Sequence, residues 1–175
     1  QTLTDLRSDA RILEAELATI TQAIGSAEGT IERLDLSAGL SRVTGPGLRI
    51  VVDDPPGADD NELVRADDLG LLLDGLWNAG AEAIAVDGQR ITAVTALRNS
   101  GTSIGVNRVP LRAPYSIRVI GNSRTLEANL LDTTSGLAWQ ALVDQLGFRV
   151  EVDNVDEMTL PPGRLRTLAV AQGTQ

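Results

Sequence analysis

The first forty residues carry an apolar repeat that fits a long helix. Apolar side chains recur at alternating steps of three and four residues, which is the spacing of the a and d positions of a coiled coil. The repeat runs through five heptads without a break. Its positions are Leu3, Leu6, Ala10, Leu13, Leu17, Ile20, Ile24, Ala27, Ile31 and Leu34. The pattern predicts a helical stalk over residues 1–40 whose apolar seam packs against another helix. The alternative is an amphipathic helix that packs on its own domain.

The charges beside the seam bear on which helix would pair with it. In a parallel homodimer, each g position meets the e position of the next heptad on the other chain. Those pairs are Thr2–Arg7, Asp9–Glu14, Glu16–Thr21, Ala23–Glu28 and Thr30–Asp35. None is attractive and one is repulsive, so a heteromeric partner helix or an antiparallel arrangement fits as well or better.

Composition removes several classes of function. The net charge of −9 argues against binding to nucleic acid or to anionic lipid, which both require a positive surface. The absence of His and Cys excludes imidazole bases, Cys nucleophiles and ordinary zinc sites. No apolar run reaches the length that spans a bilayer. The chain begins with Gln1 rather than Met, and we expect that a membrane anchor precedes it.

After the stalk, the pattern changes to short strands and helices. The turn-forming residues 37–47 predict the boundary, and residues 43–171 predict one α/β domain. We expect strands at 48–53, 82–86, 90–97, 104–106, 109–111, 114–120, 148–152 and 157–160, helices at 67–79, 123–131 and 135–146, and a last apolar stretch at 165–171. The strand-to-strand step at Asp87-Gly88 breaks the alternation of a doubly wound fold. The order therefore favours an α+β, ferredoxin-like domain of two split βαβ units with a mainly antiparallel sheet.

Several segments resemble one bacterial family. The most specific is residues 76–92, which read Leu-Trp-Asn-Ala-Gly-Ala-Glu-Ala-Ile-Ala-Val-Asp-Gly-Gln-Arg-Ile-Thr. Segments 45–54, 106–107, 113–121, 146–150 and 160–161 match in the same order. They resemble the domain of unknown function 881 family, whose members include YlxW-like proteins. One departure is Asp87-Gly88, where the family often has Asn-Gly, and both pairs form the same tight turn.

The resemblance implies a location and a process. Family members carry an N-terminal transmembrane helix, a coiled-coil lead-in and a domain outside the cytoplasmic membrane. They occur in Gram-positive bacteria, including actinobacteria, and are often encoded near cell-division genes. No catalytic activity is established for the family, so the resemblance implies no reaction.

Four polar residues are candidates for binding a ligand or partner. Asn78, Glu82 and Arg90 are expected at one end of the sheet, where they would form a polar groove for a peptide or saccharide. Asn107, from a segment that resembles the family, is the fourth. The alternative is structural: Glu82 pairs with Arg90 across the hairpin, and Asn78 caps the helix end.

We expect no catalytic residue, no metal site and no cofactor. Asp53, Asp54, Asp59 and Asp60 surround a Pro-Pro-Gly turn and offer the oxygen ligands that Ca²⁺ or Mg²⁺ prefers. The loop lacks the EF-hand spacing, and a solvated loop explains its composition. The nearest pair of carboxylates for hydrolysis, Glu82 and the acid of the tight turn, would lie at opposite ends of one strand.

Three functions fit the sequence. The first is a non-enzymatic, membrane-anchored scaffold of the cell envelope, linked to cell division, which binds other envelope or division proteins through the stalk as a homo- or hetero-oligomer. The second is a sensor that binds a small ligand or cell-wall fragment in a polar groove. The third is a metal-dependent hydrolase that uses the acidic loop. We expect the scaffold, with no binding of nucleic acid.

Overall fold

The computed structural model describes the backbone of residues 2–164 and their side chains other than those of residues 4–6. The chain divides into two units, residues 1–37 and the α/β unit from Ala38 onward. The helices are α1 (Leu3–Ser37), α2 (Ala66–Asn78), α3 (Leu126–Asp132) and α4 (Thr134–Leu146). The strands are β1 (Val43–Asp53), β2 (Ala83–Val86), β3 (Gln89–Ile91), β4 (Leu97–Ser100), β5 (Ser103–Val106), β6 (Val109–Leu111), β7 (Tyr115–Ile120) and β8 (Arg149–Leu160). The fold is therefore α+β with a long N-terminal helix and antiparallel sheets.

Helix α1 is one unbroken helix of 35 residues. At 1.5 Å per residue it is about 50 Å long. Ala, Leu, Glu and Arg are frequent in it and Pro is absent, which favours helix over the whole length. A helix of this length with one apolar stripe needs a surface that covers the stripe.

The α/β unit is built on a five-stranded sheet with the order β3-β2-β7-β1-β8. Every neighbouring pair is antiparallel. Alternate residues of β1, β2 and β7 point to one face, where α2, α3 and α4 pack against each other. The fully buried side chains on that face include Leu48, Ile50, Ile84, Ile117 and Val119. These aliphatic residues, with Leu69, Leu72 and Leu76 of α2, form the main core.

At one end of the sheet, the strands bend so that β8 covers part of the outer face. The β1–β8 register shifts between Gly45 and Gly47, which marks a β-bulge. A Cβ on Gly47 would lie 1.8 Å from the carbonyl oxygen of Val119, so only glycine allows this approach of β1 to β7. Beyond the bulge, β8 contacts β2 although two strands separate them in the sheet order. The bent end buries a second, smaller core of Ala83, Ala85, Ile120, Met158 and Leu160.

The predicted third strand, 90–97, is wrong in its second half. Strand β3 ends at Ile91, and Leu97 begins β4 of a separate three-stranded sheet with the order β4-β5-β6. Between them, the hydroxyl of Thr95 accepts a hydrogen bond from the N–H of Thr92, and Thr95 N–H donates to the carbonyl of Thr92. The β-branched residues Ile91, Thr92, Val94 and Thr95 indicated a strand, but these bonds close a turn instead.

Two other boundaries differ from the prediction. Gly45-Pro46-Gly47 was expected in the linker, yet these residues lie inside β1 because the bulge needs them. Strands 148–152 and 157–160 are one continuous strand, β8, because β1 is long enough to pair with both parts. The tight turn at Asp87-Gly88 is confirmed, with both residues at positive φ. The apolar stretch 165–171 lies outside the described residues.

Candidate interaction surfaces

The apolar seam of α1 is exposed. The Leu and Ile residues of the seam whose side chains the structure describes are all more than half exposed: Leu3, Leu13, Leu17, Ile20, Ile24, Ile31 and Leu34. The side chain of Leu6 lies outside the described part. Ile12 and Leu36, outside the heptad seam, are also exposed. Exposed apolar stripes of this length are typical of surfaces that protein–protein contacts cover.

Threonines beside the seam are already satisfied. The hydroxyl of Thr21 donates to the carbonyl of Leu17, and the hydroxyl of Thr30 donates to the carbonyl of Ser26. Burying a hydroxyl without a hydrogen-bond partner costs free energy. A hydroxyl that donates to a carbonyl of its own helix keeps that hydrogen bond when it is buried. A partner helix would therefore cover these flanking positions without leaving an unpaired polar group.

Arg90 is the buried polar residue among the described residues of the α/β unit. Its side chain is 5% exposed, and its Nη1 donates to the carbonyls of Ser41 and Pro161, at 3.2 Å each. The Nε atom is buried and has no hydrogen-bond partner among the described residues. Burial lowers the pKa of Arg90. Gly163 N–H donates to the carbonyl of Gly39 at 2.7 Å beside it. Arg90 thus fastens the segment that leads into β1 to the segment that leaves β8.

The four predicted binding residues do not form one site. The Asn107 side-chain amide donates to the backbone carbonyl of Arg90 at 3.2 Å, so these two residues meet. Asn78 is exposed and donates to the carbonyl of Asp74 in its own helix, as a residue at a helix end does. Glu82 is exposed, and Arg90 lies opposite Ala85 rather than Glu82. The predicted polar groove at this end is therefore not assembled in the described structure.

Two carboxylates of the acidic loop, those of Asp53 and Asp54, bind different partners. Asp53 pairs with Arg149, Asp54 accepts a hydrogen bond from Val64 N–H at 2.8 Å, and Asp59 N–H donates to Glu62. Among the described residues, no group of three or more carboxylates is placed to hold a metal ion. The carboxylates of Asp53 and Asp54 are therefore explained by their structural bonds.

The acid of the tight turn is also structural. Asp87 accepts a hydrogen bond from Ser116 N–H at 3.0 Å, which ties the β2–β3 turn to β7. Burial raises the pKa of Asp87. Asp87 and Glu82 lie at opposite ends of β2, too far along the strand to share a substrate. This pair has no geometry for acid–base hydrolysis.

The open part of the outer sheet face carries opposed charges. Arg49 and Arg118 are direct neighbours across β1 and β7. Asp153 on β8 accepts from Arg49 at 2.7 Å, and this hydrogen bond raises the pKa of Arg49. Arg118 reaches the carbonyl of Thr159 at 3.4 Å. Arg49, Arg118 and Asp153, together with Met158, line a shallow cavity of about 510 Å³. Because Asp153 and the nearby Glu151 offset Arg49, the cavity is not strongly cationic.

Strand β8 forms one edge of the sheet. It pairs with β1 on one side, and no described strand lies on its other side. Glu151, Asp156 and Glu157 on this edge are exposed. Beside it, a second cavity of about 510 Å³ lies between α3 and β8, lined by Ser123, Arg124, Glu127, Ala128, Leu131, Asn154 and Asp156. The sequence contained a signal for this edge in its dense acids at 151–157, but neither their exposure nor the end of the sheet can be read from it.

The family follows from comparison with known proteins. A family model described as "Bacterial protein of unknown function (DUF881)" matches residues 30–172. The chain belongs to this family. Similar proteins include the UPF0749 protein Rv1823 of Mycobacterium tuberculosis. It is 32% identical over 156 residues, and the match covers 81% of this chain and 50% of that protein. The UPF0749 protein YlxW of Bacillus subtilis is 26% identical over 132 residues, covering 73% of this chain and 57% of that protein.

A solved structure has the same fold. It is described as the crystal structure of an uncharacterized conserved protein from Mycobacterium tuberculosis, with a TM-score of 0.66 and 26% identity. The alignment covers 83% of this chain and 99% of that one. This DUF881 chain spans about half the length of the relatives named above. None of the helices in residues 2–164 combines the length and apolar character that crossing a bilayer requires.

Proposed function

We propose that this DUF881 protein is a non-enzymatic scaffold of the bacterial cell envelope. Its α1 helix binds a partner helix through the apolar seam, and its α/β unit binds a second protein. One observation supports this most strongly: seven large apolar seam residues of α1 are more than half exposed along one stripe. Covering each of these Leu or Ile side chains would contribute about 1.5–3 kcal/mol, which is ample for helix pairing.

The location of the scaffold is also a proposal. An extracytoplasmic domain held by a single membrane anchor, with a role in cell division, rests on the resemblance of residues 76–92 to YlxW-like proteins. The anchor would precede residue 1. Protease treatment of intact cells that make the full-length protein tests this, since an extracytoplasmic α/β unit is digested while a cytoplasmic one is protected.

The seam is tested by substitutions that keep the helix. Leu17→Gln with Ile24→Gln removes apolar surface at two a positions, and Gln has good helix propensity. The matched control is Ser8→Gln with Ala18→Gln, at f and b positions on the far side. We expect the seam variant to lose association in sedimentation, or to lose its crosslinked partner in native membranes, by about tenfold or more. The control should match the parent protein.

The result that contradicts the scaffold is equally definite. If the parent, the seam variant, the control and a protein lacking residues 1–40 all behave alike in sedimentation and crosslinking, the seam binds nothing. If association is lost in the control as well as the seam variant, the effect is one of helix stability. Circular dichroism at matched concentration separates helix loss from loss of association.

A sensor is the second candidate function. The cavity bounded by Arg49, Arg118 and Met158 has a volume within the range of small-ligand sites and combines charged groups with an apolar wall. A soluble cell-wall fragment that binds there would raise the melting temperature of the protein. The same fragment should have no effect on an Arg118→Ala variant.

The fold admits a finer proposal. β1 and β2 are parallel with β7 between them, and β7 and β8 are parallel with β1 between them. Helices connect both pairs. This order supports a ferredoxin-like arrangement of two split βαβ units, to which β3 and the β4-β5-β6 sheet are added. An experimental structure with both helical crossovers right-handed would establish it.

A further inference from the structure

We infer that the free edge of β8 binds an extended segment of a partner protein in which basic and apolar residues alternate, and that this segment adds as a sixth strand of the sheet. The inference rests on the proposed scaffold function and deepens it, since it gives the chemistry of the partner that the α/β unit binds.

The edge has the length that strand addition needs. β8 runs over twelve residues, Arg149–Leu160, which is about 40 Å at 3.3 Å per residue. In an antiparallel pair, alternate residues direct both their N–H and C=O groups away from the partner strand. Roughly half of the residues of β8 therefore present backbone donors and acceptors on the side away from β1. Such a row is a template for an added strand.

The side chains of the edge differ between its two faces. Val152 lies opposite Ile50, whose side chain is in the main core, so Val152 is on the helix side, where it is 39% exposed. Glu151 lies opposite Val51 and therefore points to the outer face. A strand added beside β8 would alternate in the same way. Its outer side chains would lie beside Glu151, and its inner side chains would lie beside Val152.

The groove on the helix side provides apolar surface for the added strand. It lies between α3 and β8, and Leu131, which is 46% exposed, and Ala128 contribute its apolar wall. Asp156 lines the same groove. An extended segment on the edge would cover Val152 and Leu131 with apolar side chains. Pockets for alternate side chains give strand addition its specificity.

The acidic side chains of the β8 edge indicate which kind of segment would bind there. Glu151, Asp156 and Glu157 are exposed and take part in neither of the two ion pairs of the described residues, which are Arg49–Asp153 and Arg149–Asp53. A second copy of the chain would bring an acidic β8 against another acidic β8, and like charges in register oppose pairing. A segment with Lys or Arg at alternate positions places its cations on the outer face beside Glu151, and the nearby Asp156 and Glu157 add to the negative charge that attracts it. The partner is therefore a basic strand of another protein.

Binding is measured with the full 175-residue protein and three capped nine-residue peptides. One alternates Val with Lys, one alternates Val with Glu, and one has the first composition with its Lys residues in a block. Fluorescence anisotropy of labelled peptide gives the affinity at low and high salt. Hydrogen exchange of the β8 amides reports strand addition, because new backbone bonds slow exchange of the outward-pointing amides.

A matched pair of variants isolates the edge. Glu151→Lys, Asp156→Lys and Glu157→Lys reverse the edge charges, whereas Asp67→Lys, Asp74→Lys and Glu82→Lys change the net charge by the same amount elsewhere. All six residues are exposed. We expect the alternating Lys peptide to bind and to slow exchange in β8, and we expect the edge variant to bind it about tenfold or more weakly. The control variant should differ from the parent by much less.

Four outcomes would overturn the inference. Equal weakening by both triple variants would mean attraction to the net charge of −9 alone. Peptide binding without slower exchange in β8 would place the peptide elsewhere. No binding of the alternating Lys peptide, or slow exchange of the outward amides in the free protein, would mean that the acids only protect the edge or that the chain itself covers it. The scaffold proposal is tested by the variants of the α1 seam. These four outcomes therefore overturn the strand-addition inference without deciding the scaffold proposal.

Discussion

High pH should destabilise the α/β unit through one side chain, Tyr115. Tyr115 begins β7 and is 2% exposed. Burial first, and then the negative charges of Asp54 and Asp87, raise its pKa to about 12. The sequence has no Lys, no Cys and a single Tyr, so few other groups titrate between about pH 9 and 12. The alkaline limb of stability therefore reports on this residue with little interference.

The magnitude follows from the two pKa values. In the unfolded chain Tyr ionises near pH 10, whereas the folded protein holds the proton until about pH 12. Between these values the folded state binds more protons than the unfolded state, so stability falls as pH rises. The stability contributed by neutral Tyr115 is fully present below pH 10. At about pH 11 the loss is roughly RT ln(11/1.1), or about 1.4 kcal/mol.

The assay is urea unfolding at about pH 8.5 and about pH 11, comparing the parent with Tyr115→Phe. Trp139 is 4% exposed and stacks on Phe148 at a centroid distance of 5.9 Å, so its emission maximum reports the packing of the α/β unit. The phenylalanine variant removes the titrating hydroxyl and keeps the ring. We expect the parent to lose about 1.4 kcal/mol more than the variant over this interval.

Comparing the parent with the variant also cancels a competing contribution. Burial lowers the pKa of Arg90, so at high pH the folded state releases this proton more readily than the unfolded state, and this contribution raises stability with pH, which is the opposite sign. This contribution is common to the parent and to Tyr115→Phe, so it cancels in the difference. Equal losses in both proteins, or a parent whose stability is flat to pH 11, would refute the burial of Tyr115 as the cause.

Two further substitutions test how the sheet is held. Arg90→Met should destabilise the α/β unit by about 1–3 kcal/mol in urea unfolding, because the two carbonyl contacts are lost while the cost of the buried Nε is relieved; unchanged stability, with unchanged hydrogen exchange at Gly163, would mean that Arg90 does not fasten the two segments. Gly47→Ala should cost about 3 kcal/mol or more, since its Cβ would overlap the Val119 carbonyl, whereas Gly70→Ala, with open space around it in α2, should stabilise by about 0.5–1 kcal/mol. Similar effects of the two alanines would contradict the close approach of β1 to β7.

Local patterns predicted the elements whose structure depends on nearby residues. The alternating three-four spacing predicted α1, which the structure has as one helix over Leu3–Ser37. Leu69, Leu72 and Leu76 recur at helical spacing and lie on the buried face of α2. Asp-Gly after a run of small apolar residues predicted the β2–β3 turn, because this pair adopts positive φ at low cost. These features need only contacts within a few residues along the chain.

Pairing between distant segments decided the rest. The β-branched residues within 90–97 favour a strand, yet the hydroxyl of Thr95 closes a turn, since the chain has to pass to the second sheet. Arg90 looked like a surface residue of a polar groove, but the bent end of the β1–β8 ribbon brings two carbonyls over it and buries it. Neither outcome is encoded in the residues next to the one affected.

The amino-acid order alone determined that this protein has a long amphipathic helix, an aliphatic core and an acidic surface without His or Cys. The tertiary structure decided which strand ends the sheet, and so which backbone groups and carboxylates are left for a partner. The physical reason is the separation along the sequence of the residues that make contact. Helical periodicity and turn preference depend on neighbours in sequence, whereas the place of β8 at the end of the described sheet depends on which strands pair, and the adjacent β1–β7 pair joins residues about seventy positions apart.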